Sequence, residues 1–254
     1  MISAVSDLFL SLLLNIANVY SGNFGLSIIT LTLIIRLILY PIIVPSLKSQ
    51  KKISALKPEL DKIKKKYAGD KTKLNQKQLE LYQKNQINPA AGCLPQLVQI
   101  GMFIIFYRVL INSLNGSTPD NIDLNFLWLK LNEPDGSFIL PVVAGVTQFV
   151  LGLMISPGAS TAAEKTLAAQ TKTKKDDKEA DNMSDMAQTM QSQMLFVMPF
   201  ITVVFASRFP SGLALYWVTS TLFSIIQQYT VSGPGGLVSY LNKARNLINK
   251  QSSL

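Results

Sequence analysis

Apolar residues in this chain fall in long blocks rather than at scattered intervals. Five blocks stand out, over residues 24–47, 94–111, 138–155, 194–206 and 213–231. Uncharged apolar runs of about 18 or more residues are long enough to cross a hydrocarbon core as helices. Helix is the obligatory form there, because lipid offers no partner to a free backbone N–H or C=O. The fourth block is short and is extended backwards by the uncharged residues 191–193. Pro41, Pro95, Pro141 and Pro199 lie within or at the ends of blocks, where proline kinks a membrane helix rather than abolishing it.

Ahead of the first block the pattern changes. Val5, Leu8, Phe9, Leu12, Leu13, Ile16, Val19 and Tyr20 recur at helical spacing, with Ser6, Asp7, Ser11, Asn15 and Asn18 between them. This spacing predicts an amphipathic helix lying along the outer membrane surface; the competing reading is a sixth span. Between the first two blocks, Ile53, Leu56, Leu60, Ile63 and Tyr67 form a coiled-coil seam,. Pro58 starts or bends that helix, Ala68-Gly69-Asp70 supplies a turn, and a second helix carrying Leu74, Leu81 and Tyr82 stops at Asn88-Pro89,. Residues 156–190, rich in Ala, Thr, Lys, Asp and Gln, read as a mobile loop,.

The fold class that follows is an all-α membrane protein with five transmembrane helices. It has a cytoplasmic helical hairpin and an N-terminal amphipathic helix on the outer face. The division is 1–22 outer-surface helix, 23–47 first span, 48–91 hairpin, 92–113 second span, 114–137 outer loop and 138–155 third span. It continues with 156–190 cytoplasmic loop, 191–207 fourth span, 208–211 short outer loop, 212–231 fifth span and 232–254 cytoplasmic tail.

Charge orients this arrangement. Of the 24 Lys and Arg, twelve fall in residues 48–91, five in 156–192 and three after residue 231. The opposite side has only Lys130 and Arg208, while Arg36 and Arg108 lie inside spans. The excess of Lys and Arg on cytoplasmic loops then places both loops and the C-terminus inside and the N-terminus outside. One Cys, Cys93, and no His exclude an internal disulfide framework and argue against a Cys/His zinc site,. No cofactor or metal is expected. Without a basic leader or a small-residue cleavage site at the N-terminus, the expected location is a bacterial plasma membrane.

The basic hairpin face, with Lys51, Lys52, Lys62, Lys64, Lys65 and Lys66, admits three readings. It can orient the chain and touch anionic lipid, neutralise ribosomal RNA phosphates, or dock a protein partner.

Arg36 is the residue that most changes the picture. It sits about three helical turns from either end of its block,, too deep to snorkel easily, and a central Arg costs about 2.5–3.5 kcal/mol on insertion scales. No Asp or Glu occurs in any of the five blocks to pair with it. A wet polar pocket is one solution, and a structural Arg bonded to carbonyls of bent helices is the other. Arg108, near the outer end of its block, can snorkel,. Tyr216, Thr219, Ser220, Ser224 and Gln227 follow one another at short helical spacings along the last span. Gln96 and Gln99 on the second, and Thr147 and Gln148 on the third, add further polar groups. Each alone is explained by helix–helix hydrogen bonding; together with an unpaired Arg they favour a shared hydrophilic cavity.

Three stretches resemble the YidC/Oxa1/Alb3 insertases: the Arg36 segment ending in Tyr40-Pro41, the run Asn88-Pro89-Ala90-Ala91-Gly92-Cys93-Leu94-Pro95-Gln96-Leu97-Val98-Gln99, and Phe209-Pro210-Ser211-Gly212-Leu213-Ala214-Leu215-Tyr216-Trp217-Val218-Thr219-Ser220 running on to Phe223 and Gln227-Gln228. The resemblance covers essentially the whole chain. It implies a hydrophilic groove open to cytoplasm and lipid but closed to the outside, with Arg36 in it and Gln99, Gln148, Thr219 and Ser220 lining it; Gln96, Tyr216, Trp217 and Gln227 complete the candidate groove residues. It also implies a membrane-protein insertase and chaperone, not an enzyme. The implied partners are nascent membrane-protein clients, lipids, the ribosome and the Sec translocon, with a monomer as the active form. The lipoprotein signal of many Gram-positive members and the large outer domain of Gram-negative ones are absent from this sequence.

Three rival functions remain on the sequence alone. A small ion channel or transporter lacks the membrane carboxylates and His of proton relays. An intramembrane hydrolase lacks an evident base for a Ser nucleophile. A purely structural assembly factor differs from an insertase in not needing Arg36.

Overall fold

A computed structural model describes residues 2–88, 94–112, 119, 121–156, 195 and 197–251. The loop expected over 156–190 lies almost wholly outside them, as do 89–93 and most of 191–196. The described chain is mostly helical: α1 (Ile2–Val19), α2 (Phe24–Ala55), α3 (Lys57–Lys66), α4 (Lys71–Lys84), α5 (Leu94–Asn112), α6 (Ile139–Ile155), α7 (Val197–Ala206), α8 (Ser211–Ser232) and α9 (Gly236–Gln251). One antiparallel pair, β1 (Asn125–Phe126) and β2 (Leu129–Lys130), stands between α5 and α6 with Asn125 opposite Lys130.

By length and composition, α2 and residues Leu94–Ile111 of α5 are long and apolar enough to cross a bilayer. That is fewer than the five spans expected, and the reasons differ from helix to helix. At 1.5 Å per residue, α6 with its 17 residues reaches about 26 Å, slightly short of a hydrocarbon core of about 30 Å,. The described part of α7 is shorter still. In α8 the 22 residues suffice in length, but Thr219, Ser220, Thr221, Ser224, Gln227 and Gln228 dilute its apolar character.

The chain divides into two compact units. The first comprises Met1–Val44, Cys93–Phe149 and Met198–Gln227. Its core joins Leu13, Phe24, Ile28, Phe106, Val109, Leu131, Leu213 and Tyr216, all nearly inaccessible. Helix α1 packs on α5 through the face that buries Ser6, Leu13 and Ala17, with Phe9 edge-on to Phe106 at 6.2 Å. Its other face leaves Leu8, Leu12 and Val19 exposed. Asn23 caps α2, its side-chain oxygen accepting from the Leu26 N–H at 2.9 Å,. From there α2 runs unbroken through Pro41 and Pro45.

A backbone seam closes the end of this unit at which α2 and α8 begin. Ser21 and Gly22 take positive φ after α1. The Gly22 carbonyl then accepts from Asp123 N–H at 2.8 Å, and Phe24 N–H donates to the Asp123 carbonyl at 3.1 Å. At the start of α8, Ser211 N–H donates to the Glu133 carbonyl at 2.7 Å and Gly212 N–H to the Leu131 carbonyl at 3.0 Å. The Ser211 hydroxyl donates to the Lys130 carbonyl at 2.7 Å. The first N–H groups of a helix have no partner within it; here the segment around β2 provides them.

The first turn of α6 is satisfied in a similar way. Leu140 N–H donates to Asp135 Oδ2 at 2.8 Å, Ile139 N–H reaches Ser137 Oγ at 3.4 Å, and Pro141 has no N–H to satisfy. Asp135 Oδ1 also accepts from the Ser137 N–H and hydroxyl at 3.0 and 2.5 Å. Burial pushes the Asp135 pKa up, but these hydrogen bonds outweigh it and hold the carboxyl below its ordinary value,. A depressed folded-state pKa means stability that is present above the unfolded pKa of about 3.9 and lost as pH falls through the folded value. Asp135→Ala is therefore expected to cost about 1 kcal/mol at neutral pH, measured by thermal unfolding in detergent. The difference from the parent should shrink once the pH is low enough to protonate the parent carboxylate. A deficit unchanged at acid pH would remove the carboxylate from this role.

The second unit comprises Pro45–Gly92, Val150–Val197 and Gln228–Leu254. It holds the hairpin of α3 and α4, where Asp70 caps α4 by accepting from Lys73 N–H at 3.0 Å and Leu60 and Leu74 are buried. Pro58 sits at the start of α3, where its missing N–H costs nothing,. Among the hairpin lysines, Lys51, Lys52, Lys62, Lys65 and Lys66 are exposed and Lys64 is half-buried.

Candidate functional site

Arg36 lies midway along α2 and is only 7% exposed. Its Nε donates to Ser220 Oγ on α8 at 3.0 Å. Its Nη2 donates to Gln99 Oε1 on α5 and also to Ser220 Oγ. The Ser220 hydroxyl donates to Gln99 Oε1 at 3.0 Å, and Gln99 Nε2 donates to the Tyr216 hydroxyl at 3.1 Å. Tyr216 in turn stacks on Phe106, with ring centroids 4.2 Å apart. One guanidinium thus gathers side chains from three helices, and every partner in this set is uncharged. The ion pairs Lys73–Asp70, Lys77–Glu80 and Lys130–Glu133 do not include it.

The helix register explains this convergence. Tyr216 and Ser220 are four residues apart and share one face of α8. Ser220 is fully buried and Tyr216 nearly so. Thr219, next in sequence to Ser220, does not join the set: its hydroxyl donates to the Leu215 carbonyl of its own helix at 2.8 Å. Trp217 turns instead toward Phe103, ring centroids 5.6 Å apart and nearly perpendicular. It lines an apolar hollow with Thr202, Phe205, Phe209 and Leu213, and its indole N–H is buried without a hydrogen-bond partner among the described residues. Gln227 is buried on α8, Gln96 is exposed on α5 and Gln148 is half-buried on α6. Of the nine groove candidates, the structure therefore brings together Arg36, Gln99, Tyr216 and Ser220.

A buried cation whose partners are all neutral can exchange them for an anion at a net electrostatic gain. Charge-assisted hydrogen bonds are roughly twice as strong as neutral ones, and the planar fork of Arg suits a carboxylate.

The protein-family model described as 60Kd inner membrane protein matches residues 16–234. This chain belongs to that family. The 60Kd inner membrane protein match spans α2 to α8 and so takes in Arg36, Gln99, Tyr216 and Ser220. Among relatives, the chain is 39% identical over 227 residues to the membrane protein insertase YidC of Fusobacterium nucleatum subsp. nucleatum, covering 89% of this chain and 95% of that one. It is 37% identical over 223 residues to the membrane protein insertase MisCA of Bacillus subtilis, covering 86% and 74%. Its fold is similar to a crystal structure of active YidC insertase with the first transmembrane domain resolved, at a TM-score of 0.59 and 28% identity. That alignment covers 88% of this chain and 46% of the solved one, so the chain spans just under half the length of that protein.

Two features of this chain were not singled out from sequence: Asp135, which serves the first turn of α6, and the helix α9. Asp135-Gly136-Ser137 just before an apolar run is a legible helix-start signal,. For α9 the signal was Leu237, Leu241, Ala244 and Ile248 at three- and four-residue spacing,.

Proposed function

We propose that this chain is a membrane-protein insertase that works by lowering the desolvation barrier for a polar segment of its client. The observation that carries this is the guanidinium of Arg36 on α2, buried against neutral side chains of α5 and α8 in a chain whose relatives are named insertases. A short polar, often acidic, outer segment of a nascent chain enters a hydrophilic groove. Arg36, Gln99 and Ser220 replace part of the water it loses, with Gln96, Gln148, Tyr216, Trp217, Thr219 and Gln227 as further groove residues. The adjoining apolar segment then passes between helices into lipid, which is the favourable step.

In this reading α2, α5, α6, α7 and α8 are five spans of a plasma-membrane protein, with the N-terminus outside and the C-terminus in the cytoplasm. The Lys and Arg distribution supports that orientation,. Helix α1 rests on the outer surface. The hairpin lysines, most of them exposed, meet the ribosome, the Sec translocon or lipid headgroups. The unit that inserts is a monomer.

The test is reconstitution of the full chain into liposomes with a small single-spanning client. Client protected from protease in the correct orientation should exceed the level in protein-free liposomes. Equal protection in both would sink the proposal.

A further inference from the structure

Helix α9 begins four residues after α8 ends. The link holds Gly233 at φ +81° and Gly235 at φ +52°. A Cβ on Gly235 would stand 1.9 Å from the carbonyl oxygen of Met154, near the end of α6. One turn further on, the Tyr240 and Ser156 hydroxyls are 3.3 Å apart. The first turns of α9 are thus fastened beside the C-terminal end of α6, just after α8 has finished. They sit where two apolar helices give way to polar chain.

What α9 presents from there is two-faced. Leu241 is 59% exposed, and Ala244 and Ile248 follow it in sequence at helical spacing; Val238, 44% exposed, stands at the edge of this stripe, one turn from Asn242,. Ser239, Asn242 and Asn246 are exposed on the polar side, and Arg245 is exposed. The helix carries Lys243, Arg245 and Lys250 and no Asp or Glu. An apolar stripe flanked by positive charge, with no acidic residue, is the signature of a helix lying in the headgroup layer of an anionic membrane.

We propose that α9 is a membrane-surface helix that binds anionic phospholipid at the cytoplasmic face, its Leu241 side immersed among acyl chains and Arg245, at the border of that side, reaching the headgroups. The proposal rests on the spans and orientation given under the proposed function. It differs from the hairpin lysines in combining an exposed apolar stripe with its charge. A protein or RNA partner would leave that stripe in water until the partner arrived; lipid covers it at all times.

The experiment uses the full chain with Cys93→Ser, carrying single nitroxide labels at Leu241→Cys, Asn242→Cys or Leu222→Cys, in nanodiscs. The discs contain phosphatidylcholine alone or mixed with phosphatidylglycerol. In the mixed discs the label at 241 is expected to collide with oxygen more than with a water-soluble nickel chelate, and the label at 242 the reverse. In phosphatidylcholine alone the contrast should fall, and adding Arg245→Glu should reduce it in the mixed discs. Equal chelate access at 241 and 242 in mixed discs would overturn the proposal. So would a contrast identical in both lipids, or shielding of 241 that appears only when ribosomes are added. The label at 222, on the exposed side of α8, separates the two levels. If it is in lipid while 241 is in water, the surface helix alone fails. If it is itself in water, the span on which the proposal rests fails with it.

Discussion

Arg36→Ala is expected to reduce insertion of a client with an acidic translocated segment by about ten- to a hundred-fold, while a matched neutral client loses far less. Hydrogen bonds to charged groups contribute about 1.5–3 kcal/mol, and each 1.4 kcal/mol is about a factor of ten in rate. The fold should survive the change, because Ser220 still donates to Gln99 Oε1 and Gln99 to Tyr216 once the guanidinium is gone. No buried carboxylate is orphaned, since none is paired with Arg36. Arg36→Lys should keep part of the activity, as the point charge remains and the planar fork is lost. The measurement is insertion of a client series differing only in acidic residues, with folded protein quantified alongside. If Arg36 only ties α2, α5 and α8 together, all clients suffer alike and activity tracks protein abundance. Equal activity of the Ala and Arg proteins across every client would instead favour a structural assembly role, which does not need Arg36.

Gly22→Ala is expected to destabilise the first unit more than any surface substitution in it. Gly22 has φ +91°, and a Cβ there would meet the Asn121 carbonyl oxygen at 2.3 Å. The left-handed conformation alone costs a residue with a side chain about 1–2 kcal/mol. The clash adds to this, because its partner is main chain and cannot rotate away. Relief requires the 121–123 segment to move, breaking the bonds that join Gly22 and Phe24 to Asp123. Gly233→Ala is the control: φ there is +81°, but nothing lies within 4 Å of the added carbon. In chemical unfolding, Gly22→Ala should lose clearly more than Gly233→Ala. Equal losses would show that the close approach at Gly22 contributes nothing beyond its backbone conformation.

The sequence carried the helical elements, and for identifiable reasons. The seam of Leu60 and Leu74 and the Asp70 turn appear as α3, α4 and the cap between them, because local spacing and a side-chain acceptor suffice to specify a hairpin. Arg36 was conspicuous because a cation in an apolar run has so few physical solutions. Its partners were harder to read. Nothing in the spacing distinguishes Ser220 from Thr219, adjacent hydroxyls on one helix, yet one meets Arg36 and the other bonds to its own backbone. That choice is made by the rotation of α8 about its axis, which depends on packing such as Tyr216 against Phe106. Length was misleading in a different way. Helix α2 runs on to Ala55, eight residues beyond the apolar block, because Lys and Gln are good helix formers and nothing before Leu56 stops it,.

The backbone seam at the start of α2 and α8 has a consequence for how this protein can vary. Apart from the Ser211 hydroxyl, the groups that join residues 121–133 to the start of α2 and to α8 are peptide N–H and C=O. Such groups are the same whatever side chain each residue bears. Side chains that face water along this stretch, such as Asn125 and Lys130, are therefore free to drift without opening the seam, provided Gly22 and Gly212 stay small. The surface over the seam can accordingly be recoloured in charge and polarity, or tagged, while the closure beneath it persists. Substitutions of the same kind at Gln99 or Ser220 would instead reach the site itself.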